Sequence, residues 1–276
     1  ALTLLSFLGV WFIRGKWIVA SKLLALAAAD SISSYIFGVV PLFVLMGLLM
    51  NAGGITTRLI DFSLLFVGRF RGGLGLVNVL ASMVFGGISG SSVSDTASVG
   101  AVLIPEMQKK GYSPEFAAGI TVASSTMGMI IPPSVPMIIY ALVSEESVGK
   151  LFLGSLIPGV MIGVLMLSIT IGVSYWKKYP REEVQLTTQQ KIARTRQSLL
   201  ALIMPVFVVG AVVFGIATAT ESAGIGVLYA FIIGAFVIRD LKFKAIPPLM
   251  RDAIMTSANV MIIIALSKLY IWILAL

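Results

Sequence analysis

The sequence predicts an all-α, polytopic membrane protein with inverted-topology repeats, a re-entrant helical hairpin and a discontinuous helix. Three observations predict it. Of the 276 residues, 58% are hydrophobic and only 12% are charged, against about 25% charged in soluble domains. Apolar runs recur at close to the roughly 20 helical residues that cross a bilayer core. Two stretches interrupt that apolar background where a regular helix is not expected to continue. One is the Gly/Ser-rich segment 85–100; the other is the proline-rich segment 128–136.

Composition also excludes function classes. The chain has no cysteine and no histidine. That removes disulfides, thiol nucleophiles, Cys/His metal sites and histidine general bases. A net charge of +8 would suit nucleic acid in a soluble protein. Here the basic residues lie between apolar runs, so they orient the chain in the lipid bilayer and no nucleic-acid partner is expected.

Taken in order, residues 1–13 are apolar but too short to cross, and are expected to be the end of a truncated span. Residues 17–34 mix Lys22, Asp30 and serines with Leu and Ala, as an interfacial amphipathic helix does. Residues 35–51 form a span containing Pro41, stopped by Asn51-Ala52-Gly53-Gly54. Residues 55–71 carry Arg58, Asp61, Arg69 and Arg71, and read as a second interfacial segment. Two arms follow, 74–88 and 97–108, about 22 and 18 Å long at 1.5 Å per residue. Neither spans, and basic residues flank both outer ends (Arg69 and Arg71; Lys109 and Lys110). Two short arms with a polar tip describe a re-entrant hairpin, tolerated at membrane depth only when it is buried in protein or lines a watery cavity. Ser113-Pro114-Glu115 is a helix start, with a cap, Pro at the first position and an acid in the first turn. That helix runs to about Met127 and is broken at 128–136, because Pro132 and Pro133 cannot donate main-chain hydrogen bonds. Residues 137–143 complete a discontinuous crossing. Beyond the acidic loop at Glu145 and Glu146 come a span at 151–176, a polar stretch at 177–197, spans at 199–214 and 224–238, a basic segment at 239–251, and a last span from Ala253.

Placing 55–71, 109–110, 177–196 and 239–251 on one side collects every Lys and Arg except Arg14, Lys16, Lys22, Lys150 and Lys268. The acidic loop at 144–150 falls on the other side, so the basic side is cytoplasmic. The order of span, arm and span in 1–71 recurs in 224–276 with the arm on the opposite side, as inverted repeats require. The chain divides into 1–71, 72–143 with the hairpin and broken helix, 144–197 as connecting span and loop, and 198–276 as the start of a second repeat. A second hairpin and broken helix are expected beyond Leu276, which makes the chain a fragment.

The tip and the break share one property: both expose backbone carbonyls that no helix satisfies, and inside a membrane protein such carbonyls coordinate dehydrated cations. A hard monovalent ion such as Na⁺ suits a set of oxygen ligands. The candidate ion site is Ser89 and Ser91 from the tip with Gly128, Ile131 and Pro133 from the break. Asp95, an acid inside the apolar region, is either functional or a cap on the second arm. Ser124, Ser125 and Thr126 precede the break; each alone would bond back to its own helix, and as a cluster they are candidates to line a substrate cavity with Ser92, Asp95 and Ser134. For Gly72, Gly73 and Gly75 close helix packing is the expected role. Glu221, just after Thr218-Ala219-Thr220, is expected to cap a helix, and Lys268 is buried by position. Gly87-Ile88-Ser89-Gly90 matches the G-x-S-G pattern of intramembrane serine proteases, but with no histidine only Lys268 remains as a base.

The runs Leu49-Met50-Asn51-Ala52-Gly53-Gly54-Ile55, Gly87-Ile88-Ser89-Gly90-Ser91-Ser92-Val93-Ser94-Asp95, Ala123-Ser124-Ser125, Ile131-Pro132-Pro133-Ser134, Ile157-Pro158-Gly159 and Thr218-Ala219-Thr220-Glu221-Ser222-Ala223 stand in this order along the chain. Together they resemble the large membrane subunit, DctM-like, of tripartite ATP-independent periplasmic (TRAP) transporters. The resemblance covers essentially the whole chain. It implies a non-enzymatic, Na⁺-coupled importer of organic acids in the bacterial inner membrane, with Na⁺ as coupling ion and no other cofactor. It further implies a small DctQ-like membrane subunit, a periplasmic DctP-like substrate-binding protein, and an elevator motion of the hairpin-bearing part. The family's first sodium site uses this hairpin and this broken helix. Met129 stands where the family often has Pro, and Ala219 where it has Pro; neither departure removes a carbonyl. A stand-alone Na⁺/carboxylate symporter, an intramembrane protease and a non-transporting scaffold are the alternatives.

Overall fold

The computed structural model describes residues 8, 12, 38–181 and 188–274, and of 88, 89, 142, 188–194, 196, 197 and 268–274 the backbone only. The expected span at 1–13 and amphipathic arm at 17–34 lie outside the described residues, apart from positions 8 and 12. Everything described is helix or connection; the one extended pairing there is an isolated antiparallel bridge between Arg71 and Arg181.

Helix α1 is Val39–Ala52, and α2 is Ile55–Val67. The Gly53-Gly54 stop works as expected: Gly53 N–H donates to Leu49 O at 2.8 Å, and Gly54 takes φ 74°. The chain then bends by 68° into α2. The hairpin is α3 (Gly73–Ser89) and α4 (Ser92–Lys109). Both arms are longer than expected, and the loop at the tip shrinks to Gly90 and Ser91. The physical reason lies in the hydroxyls. Ser91 caps α4, accepting from the Ser94 N–H at 3.4 Å, and Thr96 donates to the Ser92 carbonyl at 2.9 Å. Serines that look like loop start a helix instead. At 17 and 18 residues the arms still fall short of the roughly 20 that span.

Helix α5 is Pro114–Ser125, with Ser113 accepting from the Phe116 N–H at 3.3 Å as its cap. It tightens into a 3₁₀ turn at Thr126–Met129, opens over 130–134, and resumes as α6 at Val135–Ser144. Helix α7 is Val148–Trp176 and α8 is Thr188–Val213. The first ten residues of α8 were expected to belong to a polar loop. Gln, Ala, Lys and Arg are good helix formers, and their polarity sets exposure rather than conformation. Helix α9 (Ala219–Ile232) starts five residues before its expected span, on a complete capping box between Thr218 and Glu221, and ends in a π-helical turn at Ile233–Ile238. Helix α10 is Ile246–Leu274, starting seven residues before Ala253. Pro247 and Pro248 sit in its first turn, where a missing N–H costs nothing.

Among the described residues, three helical stretches are long and apolar enough to cross a membrane: Val148–Trp176, Ala219–Ile238 and Phe243–Ser267. The bent pair α1–α2 makes a fourth if counted as one span. The fold is that of a multi-pass helical membrane protein.

Contacts sort the connections into two ends. Gly72 N–H donates to Pro180 O at 3.0 Å, and the Tyr112 and Tyr179 rings stack at 4.4 Å. These join the start of the hairpin, its far end and the end of α7. At the head of α2, Arg58 pairs with Asp240 at 2.8 Å, and Ser198 donates to the Arg58 carbonyl at 2.8 Å. Arg58 and Asp240 thereby join two of the basic segments, and Tyr179 and Pro180 join a third to residues flanking the hairpin. Elsewhere, Val39, Ser147–Gly149 and Ala217–Thr220 line a common hollow of about 260 Å³.

Candidate functional site

The site is built where α3 ends against the break. Gly90, at φ 60°, closes α3 with its N–H on the Gly86 carbonyl at 3.0 Å. The glycines of this last turn are held to their size by the break. A methyl group added at Gly86 would lie 2.5 Å from Gly128 Cα and 2.8 Å from Gly128 N. One added at Gly87 would lie 2.8 Å from the Pro132 carbonyl oxygen, and one at Gly90 would lie 2.8 Å from Val135 N and 3.4 Å from the Pro133 carbonyl oxygen. Two carbonyls of the break therefore come close to the end of the first arm, along a seam that the Asp95, Ile131 and Val135 side chains also border.

Asp95 is wholly buried in the first turn of α4. Its N–H donates to Ser91 O at 3.0 Å, and its carboxylate fills the space a methyl group on Gly128 would need. The cap of α4 is Ser91, so Asp95 supports the cap from the first turn and wedges against the seam glycines.

The seam is backed by a buried polar network. Asn78 of α3 donates to Thr121 Oγ1 at 2.6 Å, and Ser124 donates to Ser82 Oγ at 3.0 Å or Asn78 Oδ1 at 3.2 Å. All four side chains are fully buried. The network fixes α3 against α5 and so fixes the tip against the break. Ser125, also buried, donates to Thr121 O at 2.7 Å. Exposed Thr126 donates to Ala123 O at 2.7 Å, and Ser134 reaches across the break to Met129 O at 2.7 Å. These hydroxyls face backbone.

A cleft of about 580 Å³ opens on the other side of the tip. Its polar floor is Ser91, Ser92 and Ser94; its apolar walls come from Val44 and Leu48 of α1, Met129, Ile139 of α6 and Val260 of α10. Of the residues the sequence singled out, the structure brings Ser91 and Ser92 to this cleft, and Gly128, Ile131 and Pro133 to the seam. Ile131 packs within 3.4 Å of a methyl position on Gly87. Ser89 ends α3, and only its backbone is described. Asp95, Ser124, Ser125, Thr126 and Ser134 are not among the residues lining the cleft. Sequence reasoning missed Gly86, Gly87 and Pro132 as seam residues, and Asn78 and Ser82 altogether. The adjacent glycines of an apolar helix were the available signal, since small residues let backbones approach. Asn51, read as a helix stop, also accepts from Thr56 at 2.9 Å and donates to Ser98 at 2.8 Å, tying the α1–α2 elbow to the hairpin.

A multi-pass helical membrane protein whose hairpin tip is pressed against a proline-broken helix, beside a cleft between helices, has the build of a membrane permease. The family model described as tripartite ATP-independent periplasmic transporter, DctM component, matches residues 1–276, and the chain belongs to that family. Similar proteins include the sialic acid TRAP transporter permease SiaT of Haemophilus influenzae, 37% identical over 216 residues, covering 78% of this chain and 35% of that protein. The C4-dicarboxylate TRAP transporter large permease DctM of Pseudomonas aeruginosa is 35% identical over 247 residues, covering 90% and 58%. The 2,3-diketo-L-gulonate TRAP transporter large permease YiaN of Escherichia coli is 33% identical over 259 residues, covering 92% and 60%. The chain therefore spans between about a third and three fifths of the length of these relatives.

Proposed function

We propose that this chain is part of the large membrane subunit of a Na⁺-coupled importer of organic acids. A periplasmic substrate-binding protein delivers the solute, a small membrane subunit braces the large one, and the hairpin-bearing segment 72–143 carries solute and ion across the inner membrane as an elevator. The observation that carries the reading is the seam: the Pro132 and Pro133 carbonyl oxygens come close to Gly87 and Gly90 at the end of the first arm. Oxygen dipoles gathered at a helix break favour a bare monovalent cation. The permeases similar to this chain are named for sialic acid, C4-dicarboxylates and 2,3-diketo-L-gulonate. All carry carboxylates, so the substrate is an organic anion. The cleft floored by Ser91, Ser92 and Ser94 offers hydroxyls to such a group, and its apolar walls suit the carbon skeleton.

The test uses the complete protein with its small subunit in proteoliposomes. Uptake of an organic acid is expected only with an inward Na⁺ gradient and only with the binding protein present. Uptake without a Na⁺ gradient would sink the coupling. Uptake without the binding protein would make it a stand-alone symporter.

A further inference from the structure

We propose that Arg71 and Arg181 hold the phosphate of an anionic phospholipid at the basic end of the molecule. The two arginines are directly opposite each other in the isolated antiparallel bridge, and Gly72 N–H donates to Pro180 O at 3.0 Å beside it. Opposite residues of an antiparallel pair project to the same face, and like charges placed there repel. Asp240 pairs with Arg58 and Glu106 with Lys109, so neither of those acids neutralises Arg71 or Arg181. The loop is also held in place. Gly72 has φ 73°, and a methyl group on it would fall on the Ser174 hydroxyl of α7. Two guanidinium groups carried by this held backbone fit a phosphate, which such groups grip in bidentate fashion.

The surroundings say that the phosphate belongs to a lipid. Three cations sit over aromatic rings along this rim: Arg69 over Phe70 at 5.3 Å, Arg71 over Tyr175 at 5.9 Å and Lys177 over Trp176 at 5.2 Å. Trp176 is 78% exposed and Tyr175 51%. Exposed Trp and Tyr at the end of a spanning helix mark the headgroup level of a bilayer. Below them α7 shows an apolar track, with Ile169 60% exposed, against which an acyl chain can lie. Glu182 and Glu183 follow Arg181 in the sequence and lie outside the described residues; their charge is tested directly.

The experiment uses the full-length complex with its small subunit, stripped of lipid in mild detergent. Its melting temperature is followed on titration with phosphatidylglycerol, phosphatidylcholine or inorganic phosphate. Phosphatidylglycerol alone is expected to raise it saturably. In the double variant Arg71→Gln, Arg181→Gln the half-saturating concentration is expected to rise about thirtyfold, at about fivefold for each basic residue near an anionic surface. Lys242→Gln with Lys244→Gln is expected to leave it unchanged. Glu182→Gln with Glu183→Gln is expected to hold or lower it. If the double arginine variant does not fold, Arg71→Lys, which keeps the charge and loses the planar fork, is expected to bind several-fold more weakly. A double variant that titrates like the wild type overturns the proposal, and so does an equal shift with inorganic phosphate. A phosphatidylglycerol effect present only without the small subunit marks this face as a protein interface and also overturns it.

Discussion

Replacing Gly86 by alanine puts a methyl group into the seam. It would lie 2.5 Å from Gly128 Cα and 2.8 Å from Gly128 N, both backbone atoms that no rotamer change can move aside. Carbon atoms rest about 3.5 Å apart or more, so the arm and the break must separate by about 1 Å. Overpacking of this kind costs about 1–3 kcal/mol, while losing a helical glycine returns about 0.5–1 kcal/mol. The net loss is about 0–2.5 kcal/mol, a fall of up to roughly 10 °C in melting temperature at about 2–4 °C per kcal/mol. If the seam holds Na⁺ as proposed, ion binding is more sensitive than the fold, because ligand distances tolerate only about ±0.2 Å. The half-saturating Na⁺ concentration is therefore expected to rise at least about tenfold, or about 1.4 kcal/mol. The assay is the Na⁺-dependent shift in melting temperature of the full-length complex, repeated as Na⁺-dependent uptake. Gly119→Ala is the matched control: it lies in α5 with nothing within 4 Å of the added methyl. It is expected to be neutral or stabilising, with Na⁺ dependence unchanged. If Gly86→Ala keeps its Na⁺ half-saturation within about twofold of the wild type, the seam is not the ion site.

Further outcomes follow from the same geometry. Asn78→Leu removes the amide that lies 2.6 Å from the Thr121 hydroxyl and 3.2 Å from that of Ser124, while Thr121 keeps its bond to Ala117 O at 2.7 Å and Ser124 its bond to Ser82 at 3.0 Å; a loss of about 0.5–1.5 kcal/mol per lost bond is expected in chemical denaturation. Thr218→Ala removes the cap that accepts from the Glu221 N–H at 3.2 Å; a loss of about 1 kcal/mol is expected, with faster hydrogen exchange confined to the first turn of α9. Asp240→Asn breaks a 2.8 Å ion pair whose acid is 52% exposed, so solvent screening holds its cost below about 1 kcal/mol. Arg58→Ala is expected to cost more than Asp240→Asn, because it also loses the bond to the Gly54 carbonyl at 2.8 Å; the two thermal shifts measured side by side check the order.

What the local chain could announce, it did. Pro132 and Pro133 cannot donate hydrogen bonds, so the helix from Ser113 could not run on through them; it gives way to a 3₁₀ turn at Thr126–Met129 just before them. Ser113-Pro114-Glu115 and Thr218-Ala219-Thr220-Glu221 carry their caps in three and four residues, and the structure has both. The hydroxyls of 91–98 misled, because serine serves a helix start and a loop equally well. In the structure the same residues are a cap, a first turn and the floor of a cleft.

The sequence by itself determined an apolar helical chain with basic connections, a short-armed hairpin and a proline break. These follow from hydrophobic run length, charge placement and backbone chemistry, which act over a few residues. Only the tertiary structure decided that Gly86 meets Gly128 and that Gly87 and Gly90 meet the carbonyls of Pro132 and Pro133. It also decided that Asn78 binds Thr121 and that Arg71 comes to lie opposite Arg181. Partners tens of residues apart are chosen by how whole helices fit together, and no local preference of either partner records the choice.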